Sequence, residues 1–225
     1  MTHPGAQAGN DIGADTARLL LSAGTVAISH DRPYILAGGW ASPVYVDCRL
    51  LIGTPRIARA VTDLAVRAID ARIGRGGFDC IAGAETAGIP LAAAIADRIG
   101  CDLRYVRKRP LGIGRGAQVE GGPVEGRRVL LIDDLVTDAA SKVAFVRGLR
   151  EAGAIVTDAL VVFFNSTFPG AADRLARLDL TLHALASWHE MLGSTLLSAA
   201  DRALIEAFLA DPLAWSLAHG GRSAN

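Results

Sequence analysis

Between residues 78 and 186, short apolar runs alternate with stretches of helical period, and this alternation leaves the chain few possible folds. FDCIAG (78–83), LRYV (103–106), VLLI (129–132), ALVVFF (159–164) and LTLHALA (180–186) read as strands. Between them, IPLAAAIADRIG (89–100) reads as a helix with proline in its first turn and Gly100 as its stop. A second helix over 141–152 ends at Gly153. Upstream, RIARAVTDLAVRAIDARI (56–73) places Ile57, Val61, Leu64 and Ala68 on one helical face. The pattern predicts an α/β fold, a doubly wound and mostly parallel sheet covered on both faces. Ligands of such sheets bind beyond the carboxyl ends of the strands, so the loops after residues 82, 106 and 132 are where chemistry is expected.

The flanks are less periodic. Residues 1–15 are Gly/Ala-rich and polar and are expected to be disordered, with a helix over 16–28. RPYILAGGWASPVYVDCRLL (32–51) fits neither period and predicts a small antiparallel hood, built from about 16–50 plus C-terminal elements. SAADRALIEAFLADPLAWSLAHGG (198–221) reads as a helix followed by an apolar tail packed on the domain. Residues 16–225 then form a single domain, a size that 225 residues suit. Acids and bases balance at 23 each, so no basic footprint points to nucleic acid. Cys48, Cys80 and Cys101 are scattered without a CxxC pair, which argues against a disulfide framework and a zinc site. The first residues lack the basic and apolar regions of a secretory signal, and no apolar run approaches the length of a membrane span. A cytoplasmic protein with no membrane partner is expected. The only two lysines, Lys108 and Lys142, both fall in segments suited to anion binding.

Three segments carry chemistry. LLIDDLVTDAASK (130–142) is a buried strand delivering Asp133 and Asp134, then a tight loop and a helix. Adjacent carboxylates can accept hydrogen bonds from vicinal hydroxyls and lie close to any magnesium a ligand carries. The backbone N–H groups that follow form an anion site at the helix start, although the same acids also suit the dipole of a capped helix. IAGAETAGIP (81–90) is again strand, small-residue turn and helix, a geometry that can bind diphosphate. YVRKRPLGIGRGAQVEGG (105–122) sets Arg107, Lys108, Arg109 and Arg115 among glycines, the composition of a mobile basic loop that closes over an anionic substrate. Its GIGRGA string matches a dinucleotide fingerprint formally, but no helix opens there. HEML at 189 is not a metalloprotease motif, since the fifth position is Gly193.

In this order the three segments resemble the orotate phosphoribosyltransferases, of the type I phosphoribosyltransferase fold. SPVYVD (42–47) is similar to the family's N-terminal stretch, AGAETAGIP to its diphosphate loop, YVRK to QVEG to its catalytic mobile loop, and LLIDDLVTDAAS to its phosphoribosyl diphosphate motif. The resemblance implies that orotate and phosphoribosyl diphosphate give orotidine 5′-phosphate and diphosphate, with magnesium carried by the diphosphate substrate near Asp133 and Asp134. It also implies a homodimer whose mobile loops reach the partner's site. By position, Asp133 and Asp134 would hold the ribose hydroxyls, and Thr137, Asp138, Ala139, Ala140 and Ser141 the 5′-phosphate, with Thr137 also near the base. Tyr45 would stack on orotate, and Glu85, Thr86, Ala87 and Gly88 would form the diphosphate turn. Arg107, Lys108 and Arg109 would supply the catalytic loop's charge to the diphosphate.

The chain also departs from the family pattern. Leu111 and Ile113 stand where the mobile loop usually has a lysine and a histidine. Asp138, Ala139 and Ala140 stand in a phosphate loop that is normally glycine-rich, and Gly38-Gly39 replaces a serine-glycine. FFNSTF (163–168) lacks the arginine that some members use for the orotate carboxylate. A carboxylate about 5 Å from a phosphate repels it by roughly 1 kcal/mol at the surface, so Asp138 is expected to be neutralised locally. The spacing predicts that it caps the following helix and pairs with Lys142, four residues on. Two other functions stay open beside a working enzyme. One is a divergent, weakly active or inactive paralogue that binds a nucleotide or a partner protein. The other is a phosphoribosyltransferase for another base.

Overall fold

The computed structural model describes residues 4–36, 38–110, 117–168 and 170–222, with side chains from residue 12 onward. Helix α1 (Pro4–Ser22) leads into the hood strands β1 (Val26–Ile28), β2 (Tyr34–Ile35), β3 (Ala41–Ser42) and β4 (Val44–Val46). Then follow α2 (Pro55–Arg72), β5 (Cys80–Ala84), α3 (Gly88–Ile99), β6 (Asp102–Val106), β7 (Val119–Glu120), β8 (Val129–Val136), α4 (Ala140–Glu151) and β9 (Asp158–Phe164). The chain closes with α5 (Ala171–Arg177), β10 (Thr181–Ser187), α6 (Trp188–Gly193), α7 (Ala199–Ala210) and α8 (Pro212–Ala218).

Six strands form one sheet in the order β10-β9-β8-β5-β6-β7, parallel except for the β6–β7 hairpin. β8 shows why this sheet is covered on both faces. Leu130 and Ile132 pack with Leu91 and Ile95 of α3, while Val129 and Leu131 pack with Phe145 and Leu149 of α4. Alternate residues of a strand point to opposite faces, so a continuous apolar run needs helices on both sides. Ala84 pairs with Val106, and Gly83 with Ile132, so the ends of β5, β6 and β8 are level. That register brings the three chemical segments to one edge of the sheet. Close packing depends on glycine here: a Cβ on Gly88 would lie 2.5 Å from the Ile132 carbonyl oxygen.

The hood consists of two antiparallel pairs, β1 with β4 and β2 with β3. Helix α8 packs against β3, and the Ser216 hydroxyl accepts a hydrogen bond from the Ala41 N–H at 2.9 Å. The apolar tail expected after residue 210 is thus a helix of the hood, started by Asp211 accepting from the Ala214 N–H.

Three expectations need correction. The first helix starts at Pro4, within the segment expected to be disordered, and Ile12, Thr16 and Leu20 are buried at a spacing of four. It ends at Ser22, so 26–28 is strand rather than helix; Gly24, at φ 68°, makes the turn between them. The strand expected over 129–132 runs to Val136, because Leu135 and Val136 continue to pair with Phe163 and Phe164. Asp133 and Asp134 therefore lie inside a strand rather than beyond its end.

Candidate active site

At the level edge of β5, β6 and β8 lies a cavity of about 380 Å³. Asp133, Asp134, Ser141, Glu85, Thr86, Ala87, Lys108 and Tyr45 all line it, so residues from four separate sequence segments meet. A larger cavity of about 520 Å³ adjoins it, with Tyr45, Val46 and Leu135 common to both. Its walls are Trp40, Phe168, Thr137, Asp138, Asn165, Arg174 and Arg222 with the apolar hood residues. Trp40 stacks on Phe168 at 4.8 Å and 13°, which gives this second cavity a flat aromatic wall.

The two acids of β8 differ sharply. Asp133 is 6 % exposed and ion-pairs with Lys142, which is 1 % exposed and also donates to the Leu135 carbonyl at 3.1 Å. A charge removed from water this far needs a partner, and Lys142 supplies it from the first turn of α4. Among the described residues, Asp134 has no such partner. Burial first, and then the neighbouring Asp133 charge, push its carboxyl up to about 7. One carboxylate is locked, and its neighbour is poised to gain from any hydroxyl or cation brought into the cavity.

The loop after β8 also differs from expectation. Lys142 pairs with Asp133, not with Asp138, because the buried acid gains far more from a cation than an exposed one would. Nor does Asp138 cap the helix: the cap position is Ala139, and Asp138, one residue earlier, accepts from the Ala140 N–H at 3.1 Å and has Arg174 of α5 as its cation, 3.4 Å away. Ala139 adopts φ 60°, the left-handed conformation in which glycine is at ease, so alanine does not prevent the loop from forming its turn. Ala139 is buried, Ala140 is exposed, and neither lines either cavity.

The loop between β6 and β7 is tied at its root. Glu85 accepts from the Lys108 N–H at 2.9 Å and lies 3.6 Å from Arg107. Arg107 also sits 3.6 Å from Glu120 and over the ring of Tyr105, and it is not among the cavity-lining residues. Arg109 is exposed and likewise lines neither cavity. Leu111, Ile113 and Arg115 lie outside the described residues. Gly88 is buried against β8, so its lack of a side chain serves helix–strand packing.

Sequence reasoning missed Arg49, Trp40, Phe168, Arg174 and Arg222. Arg49 holds Asp47 through its Nε at 2.6 Å and donates to the Tyr45 hydroxyl at 3.2 Å, which orients the ring shared by the two cavities. Lys142, by contrast, had left a signal, as one of two lysines in an arginine-rich chain. The five missed residues carry no pattern of their own, and only the fold brings them to the cavities.

Comparison with known proteins agrees with this geometry. A family model described as a phosphoribosyl transferase domain matches residues 52–167, which include the acid pair, the diphosphate turn and the loop root. The orotate phosphoribosyltransferase of Cereibacter sphaeroides is 44% identical over 204 residues, covering 89% of this chain and 88% of that protein. That of Rhizobium rhizogenes is 44% identical over 209 residues, covering 91% and 90%. Among solved structures, the orotate phosphoribosyltransferase of Aeropyrum pernix superposes with a TM-score of 0.66 at 31% identity, covering 79% of this chain and 97% of that one. The Leishmania donovani UMP synthase superposes with a TM-score of 0.72 at 30% identity; 88% of this chain is matched, and the match spans 42% of that longer protein.

Proposed function

This chain belongs to the orotate phosphoribosyltransferase family, and we propose that it transfers the phosphoribosyl group of phosphoribosyl diphosphate to orotate. The observation that carries the reading is the junction of the two cavities at Tyr45, Val46 and Leu135. One cavity has the acid pair, the diphosphate turn and Lys108. The other has an aromatic wall and two guanidiniums, which suits a flat anionic base.

In this reading the ribose hydroxyls donate to Asp134, and Lys142 holds Asp133 in place beside it. Thr137 and Ser141, with the backbone N–H groups at the start of α4, receive the 5′-phosphate. The small turn Glu85-Thr86-Ala87 and Lys108 face the diphosphate. Tyr45 stands between base and sugar. N1 of orotate, having lost its proton, attacks C1′; the N1–C1′ bond forms as the C1′–O bond breaks, and the electron pair leaves on diphosphate. Holding both substrates at one junction supplies the orientation such a displacement needs. The hard carboxylate oxygens of Asp133 and Asp134 fit a magnesium that arrives with the diphosphate and takes only one or two protein ligands. Such an ion would add positive charge beside the leaving group.

Asp138, one of the departures that favoured an inactive paralogue, is paired with Arg174 and so weighs little against turnover. A cytoplasmic reaction goes with this reading, and no described helix is long and apolar enough to cross a membrane. A homodimer would let each β6–β7 loop serve the partner's site, and light scattering at assay concentration should report twice the mass of one chain.

The deciding experiment is orotate consumption with phosphoribosyl diphosphate and magnesium, followed by absorbance. Turnover dependent on both substrates is expected. A folded protein that binds phosphoribosyl diphosphate but turns over a different base, or none, would overturn the proposal.

A further inference from the structure

The peptide unit that joins Arg107 to Lys108 is held at both polar ends by side chains from other parts of the chain. Its N–H, that of Lys108, donates to the Glu85 carboxylate at 2.9 Å. Its carbonyl, that of Arg107, accepts from the Gln118 side-chain amide at 2.9 Å. A peptide unit is planar, so the two contacts fix its orientation and the place of the Lys108 Cα attached to it. Lys108 lines the cavity of the acid pair, whereas Gln118 lines neither cavity.

Gln118 also reaches a helix. Its Nε2 donates to the Ala144 carbonyl of α4 at 3.3 Å. Its own backbone carbonyl accepts from the Arg107 N–H at 2.9 Å, which extends the β6–β7 hairpin by one pair. Gly148, one turn beyond Ala144, makes room for the amide: a Cβ there would stand 2.5 Å from Nε2. Glycine inside a helix weakens it relative to alanine. Gly148 is buried in the second half of α4, and the space it leaves is taken by Gln118.

Under the proposed function, the start of α4 receives the 5′-phosphate, and Lys108 faces the diphosphate at the other end of the same substrate. Resting on that function, we infer that Gln118 is a positioning residue: it ties the Lys108 peptide to α4 and so sets the spacing between the two phosphate subsites. Gly148 is the gap that admits the tie. A ligand that spans both subsites gains from their alignment, because its second end binds at high effective concentration once the first is held. A ligand that fills one subsite gains nothing from it.

The test compares phosphoribosyl diphosphate, which spans both subsites, with orotidine 5′-phosphate and diphosphate, which each fill one. Calorimetry in magnesium measures all three on wild type, Gln118→Met, Gly148→Ala and the double variant. Methionine keeps the length of the side chain and removes its donor. Alanine at 148 leaves Gln118 in the sequence but displaces its amide, and it suits a helix better than glycine does. Each single variant should weaken phosphoribosyl diphosphate about tenfold, the scale of one lost hydrogen bond, with the other two ligands within about twofold. The double variant should be no weaker than the weaker single one, because both changes remove the same contact. In turnover, KM for phosphoribosyl diphosphate should rise while KM for orotate stays within about twofold.

Weakening of either one-subsite ligand by as much as phosphoribosyl diphosphate would assign Gln118 to local structure and overturn the inference. An unchanged affinity for phosphoribosyl diphosphate in Gln118→Met would overturn it too, as would additive losses in the double variant. A wild type that binds phosphoribosyl diphosphate and diphosphate but does not consume orotate would defeat the proposed function alone, because the affinity ratio is read without turnover.

Discussion

Lys142, reaching back from the first turn of α4, ion-pairs with Asp133 inside β8, and both side chains are almost fully buried. The pair joins the phosphate loop to the acid motif through the protein interior, so the sugar site and the core share their stability.

Asp133 therefore cannot be replaced without cost. Asp133→Asn should leave a buried ammonium unpaired and destabilise the fold by about 3–5 kcal/mol. Lys142→Met should cost a similar amount by stranding the carboxylate, while the double variant Asp133→Asn with Lys142→Met should recover most of the loss. Urea unfolding of the three proteins measures this cycle. Additive losses in the double variant would mean that the two groups are not coupled.

Asp134 should behave in the opposite way. Its folded pKa of about 7 lies above the ordinary 3.8, so the folded state holds this proton more tightly than the unfolded state does. The stability from that proton is complete below pH 3.8 and is lost as pH rises through about 7. Asp134→Asn cannot ionise, so without ligand it should melt higher than wild type at pH 8, with the gap narrowing toward pH 4. The same change should abolish binding of phosphoribosyl diphosphate in calorimetry. A variant less stable than wild type at pH 8 would contradict the assignment.

Ala139→Gly should be neutral or stabilising. The left-handed conformation costs a non-glycine residue about 1–2 kcal/mol, against roughly 0.5–1 kcal/mol for the greater freedom of glycine in the unfolded chain. Loss of a small buried methyl offsets part of the gain, so the expected change lies between zero and about 1 kcal/mol more stable. A denaturation midpoint shifted clearly downward would show that the methyl's packing outweighs the backbone strain.

Leu111→Lys adds a cation to the segment that the proposed function assigns to the departing diphosphate. An electrostatic contact of this kind acts mainly in the transition state, so kcat should rise by about tenfold or more with little change in KM. Steady-state kinetics in both substrates will decide. An unchanged kcat would indicate that Lys108 and the loop arginines already meet the need, or that product release limits turnover.

The sequence by itself determined the sheet, its helices and the location of the chemistry. Strand and helix periods are local, and the apolar runs at 78–83, 103–106, 129–132 and 159–164 admit almost no other arrangement. Glycine stops such as Gly100 were legible because backbone conformation is a property of the residue itself. The motifs at Asp133-Asp134 and Glu85-Thr86-Ala87 were legible for a similar reason: each is a contiguous stretch of chain, although the acids proved to lie inside β8. What only the tertiary structure decided was which charges pair. Helical spacing alone favoured Asp138 for Lys142; burial chose Asp133, because desolvating an unpaired acid costs far more than an exposed i,i+4 contact returns. Asp138 then took Arg174 from a helix that no local pattern connects to it, and Trp40, Phe168 and Arg222 met at one cavity only once the hood closed on α7 and α8. Pairings of this kind depend on distance and burial, and both are set by the folded chain as a whole.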